Sequence, residues 1–254
     1  MSHVSSRYGG NTSCMTVSSK GSQIIIDAGS GLNMLEREHQ HDNNHNILIS
    51  HLHMDHIIGL GTFAPVWKPD SETRIYTCSR DSRPLNEQVF GMFKPPYWPS
   101  CLATISGAEC IPIASRSSFT IGCFTVTPFT ASHPDKTLSF HITDGKKNFV
   151  HLLDSEVYDM SQVLYEEMFS FCQNADMVVF DAAYSSDDYP RFFKGWGHST
   201  VEQGVKFAKA CKPKRMLFAH FGQQYTDYQL DSWSQHFEGD TEFILARDGI
   251  EIQI

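Results

Sequence analysis

The chain has 254 residues, 41% hydrophobic and 19% charged, a composition that excludes a disordered polymer and allows a sizeable core. Its formal charge of −9 argues against a protein whose main work is gripping a long polyanion through Lys and Arg contacts to phosphate. No run reaches the roughly 20 apolar residues of a membrane span and the opening MSHVSSRYGGNTS carries no secretory h-region, so a cytoplasmic protein without membrane contact is expected.

In chain order, the first apolar run, 22–27 (SQIIID), predicts a buried strand ending in Asp27. The polar stretch 38–46, with His39, His41 and His45, predicts a solvated loop. A second strand follows at 46–51 (NILISH), ending in His51. The segment 90–99 (FGMFKPPYWP) predicts a stiff loop too apolar for free solvation. Strands are predicted again at 148–154 (NFVHLLD), 175–181 (ADMVVFD) and 216–220 (MLFAH), ending in Asp154, Asp181 and His220. Between them lie helical patterns at 157–171 and 201–210. The second has Val201, Val205 and Ala208 on one face, and Ser199-Thr200-Val201-Glu202 fits a capping box with Ser199 as N-cap. The basic run Lys212 to Arg215 predicts a solvated turn, and 242–254 a closing hairpin. His141 and His151, near strands, are expected to be structural. The seven cysteines stand singly with no C-x-x-C pair, which predicts reduced thiols. Five runs end in Asp or His. If they share sheets, Asp27, His51, Asp154, Asp181 and His220 gather along one edge, where open sheets bind ligands. A layered α/β (α+β) fold with two sheets, one domain over 1–254, is the expectation.

The densest chemistry is in 47–59, ILISHLHMDHIIG, with His51, His53, Asp55 and His56 inside six residues. Burying so many ligand-type side chains is costly unless something binds them. His51 and His53 alternate along an extended segment and point the same way. Asp55 and His56 fall at the turn into a helix, aimed at a neighbouring point. One short segment can therefore serve two adjacent metals.

The stretch His51-Leu52-His53-Met54-Asp55-His56 resembles the HxHxDH signature of the metallo-β-lactamase fold. Further segments are similar along nearly the whole chain: 8–14, Ile26-Asp27-Ala28-Gly29, Ser132-His133-Pro134, Leu153-Asp154-Ser155, Gly197-His198-Ser199-Thr200 and Ala219-His220-Phe221. The GHST segment narrows the resemblance to the phosphodiesterase branch, with ribonuclease Z and cyclic-nucleotide phosphodiesterase relatives such as the phage anti-Pycsar nucleases. The resemblance implies a four-layer αββα sandwich. It implies that His51, His53 and His133 hold a first metal, that Asp55, His56 and His220 hold a second, and that Asp154 bridges them. Nitrogen and oxygen donors without cysteine suit zinc, with manganese or iron as alternatives. Asp27 and Asp181 are implied to orient ligand histidines. The family's strand ahead of Gly9 has little room here, so that strand is expected to be shortened or lost, or the initiating residue to differ.

Two divalent ions about 3.5–4 Å apart can lower the pKa of a shared water toward neutrality. Asp55 is then placed to accept its proton. His198, Ser199 and Thr200 at a helix start form an expected anion site, with His198 hydrogen-bonding a phosphoryl or leaving oxygen. Tyr97 and Trp98 are expected to stack on a base or to pack at a subunit interface. The expected activity is hydrolysis of small phosphodiesters, cyclic nucleotides foremost, by a homodimer. A ribonuclease Z-like tRNA 3′ endonuclease is the alternative, but the interval from His133 to His220 has no Gly-rich basic arm for tRNA. A lactonase-type hydrolase is the third reading. A diiron oxidative role is disfavoured because relatives of that kind carry Glu where His53 stands, and a non-catalytic module because no ligand position is missing.

Overall fold

Runs such as Ile24-Ile25-Ile26 and Met177 to Phe180 become strands because β-branched and bulky side chains suit a pleated surface covered on both faces. The structure, a computed structural model, describes residues 7–38, 44–99, 105–158 and 160–254, with 36–38 as backbone only. It divides into two compact units, Asn11–Phe124 and Met1–Gly10 with Thr125–Ile254. The shortened strand expected ahead of Gly9, together with His39, His41 and Cys101, falls at least partly outside the described residues.

The unit Asn11–Phe124 is built on a five-stranded sheet of β1 (Met15–Ser19), β2 (Ser22–Ile26), β3 (Asn44–Leu48), β4 (Glu72–Thr77) and β5 (Ala108–Pro112), in that order. The β1–β2 hairpin is antiparallel, and β2 to β5 are parallel to one another. Helices α1 (Leu32–Glu38), α2 (Met54–Ile57), α3 (Ala64–Trp67) and α4 (Leu85–Phe90) belong to this unit, as does the short β6 (Phe119–Ile121). Ile25, Ile47, Ile49, Leu60, Phe63, Phe90 and Phe93 form its core. The expected loop over 38–46 is overturned at its end. His45 lies on β3, buried, its ring 5.0 Å from that of Phe63. Alternation puts His45 on the same face as Ile47, and pairing with Thr73 extends the strand past its apolar part.

The other unit carries β7 (Phe124–Thr130), β8 (Leu138–Thr143), β9 (Asn148–Leu152), β10 (Met177–Asp181), β11 (Arg215–Ala219) and β12 (Glu242–Leu245). In the second sheet these six strands run in the order β12-β11-β10-β9-β8-β7. Strands β7 to β9 form an antiparallel meander, while β9 to β12 are parallel. Parallel neighbours need crossovers, and α5 (Gln162–Cys172), α6 (Val201–Cys211) and α7 (Asp227–Trp233) supply them. The expected closing hairpin is therefore wrong. The tail gives one strand parallel to β11, and no strand follows Gly249. The first helix of this unit starts at Gln162 rather than 157, where Ser161 accepts from the Leu164 N–H as N-cap. The capping box of α6 is one residue later than expected: Thr200 pairs reciprocally with Gln203. Ser199 does not cap because its hydroxyl turns inward, donating to the Ser155 carbonyl at 2.7 Å and accepting from Val157 N at 3.0 Å. The Lys212–Arg215 turn forms as expected, with Lys212 in the left-handed region and Lys214 Nζ 2.7 Å from Asp176. None of the six described cysteines is in a disulfide. Among the described residues no helix is long and apolar enough to cross a membrane.

Helix α6 lies so close to β10 and β11 that a Cβ on Gly204 would strike the Phe218 ring and come within 3.0 Å of Phe180. Alanine ordinarily favours a helix interior by about 1 kcal/mol over glycine. Here overpacking should win, and Gly204→Ala should lower stability by about 1–3 kcal/mol in urea unfolding. A stability gain would show that the ring contact relaxes freely.

Candidate metal centre

In the unit Asn11–Phe124, β2 and β3 are parallel neighbours, so the residues that follow them leave the sheet side by side. Asp27 follows β2 with φ of 58° and is fully buried. Its carboxylate accepts from Ser50 N at 2.8 Å, Ser50 Oγ at 3.1 Å and Ser13 Oγ at 3.3 Å. It also takes His56 Nδ1 at 2.8 Å. An ionised carboxylate only accepts, so Nδ1 of His56 carries the proton and Nε2 keeps its lone pair. His51 Nδ1 lies 3.1 Å from Ser50 Oγ, whose own proton goes to Asp27. The same logic leaves Nε2 of His51 as the lone-pair nitrogen. The His51 ring sits 4.4 Å from that of His53 and 4.3 Å from that of His56. His56 Nε2 and Asp55 Oδ2 are 3.3 Å apart. Two donors each about 2.0–2.1 Å from one tetrahedral ion would stand about that far apart.

In the other unit the parallel strands β9, β10 and β11 end on one edge, with Asp154, Asp181 and His220 at or just past their ends. Asp154 has φ of 51° and His220 φ of 68°. Asp181 is fully buried and accepts from Asp154 N at 3.0 Å, Ala183 N at 3.1 Å and Ser199 N at 3.0 Å. His198 Nδ1 donates to its Oδ2 at 2.9 Å. Burial pulls the His198 pKa down, but the charge and hydrogen bond of Asp181 outweigh it and the net shift is upward. Asp154, Asp181, His198 and His220 each offer a ligand-type atom, all within 4.8 Å of one another. His220 Nε2 is 3.7 Å from Asp154 Oδ2, and His133 Nε2 is 3.9 Å from Asp154 Oδ1. The His198 and His220 rings stack at 5.1 Å. His133 Nδ1 lies 3.0 Å from Thr137 Oγ1 and 3.2 Å from Asp135 N. The Asp135 N–H donates to Nδ1 here, so a ligating Nε2 would require Nδ1 to give up that bond and donate to Thr137 Oγ1 instead.

Each unit therefore presents imidazole and carboxylate donors held by buried acceptors. The chain matches the model of the β-lactamase superfamily domain over residues 22–221. It belongs to that superfamily. The ribonuclease Z of Azobacteroides pseudotrichonymphae is 24% identical over 241 residues, 85% of this chain and 83% of that one. The metallo-β-lactamase fold protein YhfI from Bacillus subtilis superposes with a TM-score of 0.72 at 21% identity, covering 97% of this chain and 96% of its own. A diphosphatase from the PhnP family gives 0.70 at 14% identity, covering 95% and 83%. The protein is a metal-dependent hydrolase of the metallo-β-lactamase fold, similar to a ribonuclease Z and to a PhnP-family diphosphatase.

The superfamily implies divalent ions, and the donor set fits them: nitrogen and oxygen donors at separations an ion can span, with no thiolate among them. Asp27 accepts from Nδ1 of His56, an expected ligand, and Asp181 from Nδ1 of His198, which is not among the expected ligands. Ser199 and Thr200 need correction as substrate contacts. Both are buried, with their hydroxyls and amides engaged inside the fold. Trp98 packs edge-on to Phe93 at 5.4 Å within the core of its own unit, whereas Tyr97 is 79% exposed. His141 bonds Asn148 at 3.2 Å and stacks on Phe171, and His151 is buried on β9. Sequence reasoning missed Ser50, although it stands beside His51. It also missed Glu156, for which no pattern in the chain gives a signal.

Removing Asp27 frees His56 to rotate and leaves the Ser50 amide without this acceptor. Asp27→Ala should weaken zinc binding about 10- to 100-fold, read by competition with a chromophoric chelator. Unchanged affinity would mean that packing alone holds His56.

Proposed function

We propose that the protein is a phosphodiesterase acting on small nucleotide diesters, 3′,5′-cyclic nucleotides foremost. In this reading residues 1–254 work as one catalytic domain with two divalent ions, zinc first among the candidates. His51, His53 and His133 hold one ion, Asp55, His56 and His220 the other, and Asp154 is shared, as the family motifs imply. Bound ions supply an activated water at neutral pH and neutralise charge on the phosphoryl oxygens. Asp55 accepts the proton of the attacking water. His198 has spent Nδ1 on Asp181, which leaves Nε2 for the substrate. From there it hydrogen-bonds the phosphoryl group and gives a proton to the leaving oxygen as the P–O bond breaks. Its raised pKa favours the protonated form this step requires.

The observation that carries the small-substrate reading is what fills the chain between His133 and His220. That interval is taken up by β8, β9, α5, β10, a π-helical turn at Tyr189–Phe193, α6 and β11. Among its described residues there is no Gly-rich basic arm to grip tRNA. The −9 charge points the same way. The ribonuclease Z reading keeps one specific support, the match to a relative of that name along most of both chains. The reading also includes a cytoplasmic homodimer, in which exposed Tyr97 would meet a second subunit or a base.

The test is a panel of cyclic mononucleotides, cyclic dinucleotides and precursor tRNA, incubated with metal-loaded protein and read by chromatography. Cyclic mononucleotides should open to monophosphates and the tRNA should stay intact; the reverse result would install the ribonuclease reading. His198→Ala should lower kcat about 10²- to 10⁴-fold with metal content retained. Asp154→Ala should lose both metal and activity. If His198→Ala loses metal in step with turnover, His198 is itself a ligand.

A further inference from the structure

From the π-helical turn to α6, the chain holds large aromatic rings in water. Phe192 is 65% exposed and Trp196 57%, and Tyr158 from the segment before α5 is 65% exposed. Lys194 Nζ stands 5.3 Å from the centre of the Tyr158 ring. Exposed rings clustered in this way mark a binding surface more often than a solvated excursion.

Glu156 ties this surface back to the fold. Its carboxylate is buried and accepts from Tyr189 Oη, from Gly195 N at 2.8 Å and from Gly197 N at 3.0 Å. Its own amide donates to the Ser132 carbonyl at 2.8 Å. The residue that clamps both ends of the aromatic segment thus stands two positions after Asp154 and bonds to the neighbour of His133. Inside the segment, Phe193 stacks on Tyr184 with centroids 3.9 Å apart and planes 3° from parallel. Trp196 meets the Phe193 ring edge-on at 5.5 Å. Tyr184 in turn meets the His198 ring edge-on at 5.6 Å. An unbroken series of rings therefore runs from exposed Trp196 to His198. Gly197 completes the approach. Its φ is 90°, and a Cβ there would strike the His133 ring, so the backbone lies flat against that histidine.

We propose that Trp196, flanked by Phe192, Tyr158 and Lys194, is the platform on which the nucleobase of the substrate stacks while its phosphate meets His198. The inference rests on the small-nucleotide reading above and names how that substrate is held. Stacking suits any base, because each has a π face, and the platform is held in place before the ligand arrives, so little ordering entropy opposes binding. Lys194 adds positive charge beside rings that would otherwise offer an anionic nucleotide only apolar surface.

The experiment is isothermal titration of metal-loaded protein with adenosine 5′-monophosphate and with methyl phosphate, which shares the phosphate but has no base. Wild type should bind the nucleotide more tightly than methyl phosphate. Trp196→Ala should weaken nucleotide binding on the order of 5- to 100-fold and leave methyl phosphate unchanged. Trp196→Phe, which keeps a ring, should recover most of the loss. Equal loss for both ligands would show a structural effect and overturn the platform. So would unchanged nucleotide affinity in Trp196→Ala, including the case where that variant turns a dimer into a monomer in sedimentation. Wild type that prefers methyl phosphate, or has no preference, would instead overturn the small-nucleotide reading itself.

Discussion

Two buried carboxylates, Asp27 and Asp181, are the points on which the chemistry of this protein depends. A carboxylate out of water is costly unless its oxygens are filled with donors. Both are filled from the backbone as well as from side chains: Asp27 by the Ser50 amide, Asp181 by the amides of Asp154, Ala183 and Ser199. Each then takes the Nδ1–H of a histidine, His56 or His198. The backbone donors fix where the carboxylate sits, and the carboxylate fixes which imidazole nitrogen keeps its lone pair. Histidine orientation is thus set by the course of the main chain, which is far stiffer than a side chain on a surface.

That course is itself strained. Asp27, Asp154 and His220 all have left-handed backbones, a conformation costing about 1–3 kcal/mol for a residue with a side chain. Each stands just past a strand that has a parallel neighbour. A regular continuation would send the next side chain along the sheet direction. The left-handed step turns it aside at the strand end, where carboxylate and imidazole groups collect. In the unit with β9 to β11, the crossover helices make this possible, because parallel strands deliver all their carboxyl ends to one edge. Helix α6 holds that arrangement close through Gly204 on Phe218 and Phe180.

The same edge separates two kinds of contact. Ser199 and Thr200 spend their polar groups on the fold, one on Ser155 and Val157, the other on the capping box. His198, between them and Gly197, keeps a ring nitrogen for other work. The aromatic segment before it is tied back by Glu156 and by the Phe193–Tyr184 stack, while Phe192 and Trp196 stay exposed. The interval from His133 to His220 is otherwise occupied by helices and strands of the second sheet's unit.

The sequence by itself determined the family, the strand cores and the chemistry of the donors. HxHxDH at 51–56, the apolar runs ending in Asp or His, and the GHST segment are local patterns, and local patterns survive without coordinates. Tertiary structure decided what depends on partners distant in the chain. His45 is buried because β4 pairs alongside it, although its neighbours are polar. The tail strand runs parallel to β11 because that edge of the sheet was open to it, whereas its composition fits a hairpin equally well. Thr200 caps α6 in place of Ser199 because Ser155 and Val157, some forty residues away in sequence, draw the Ser199 hydroxyl inward. Glu156 has no motif at all; its importance comes from two glycine amides and a tyrosine hydroxyl that only folding brings to it. Hydrogen-bond partners of a buried polar group are set by three-dimensional proximity, and proximity across such separations leaves no period in the sequence.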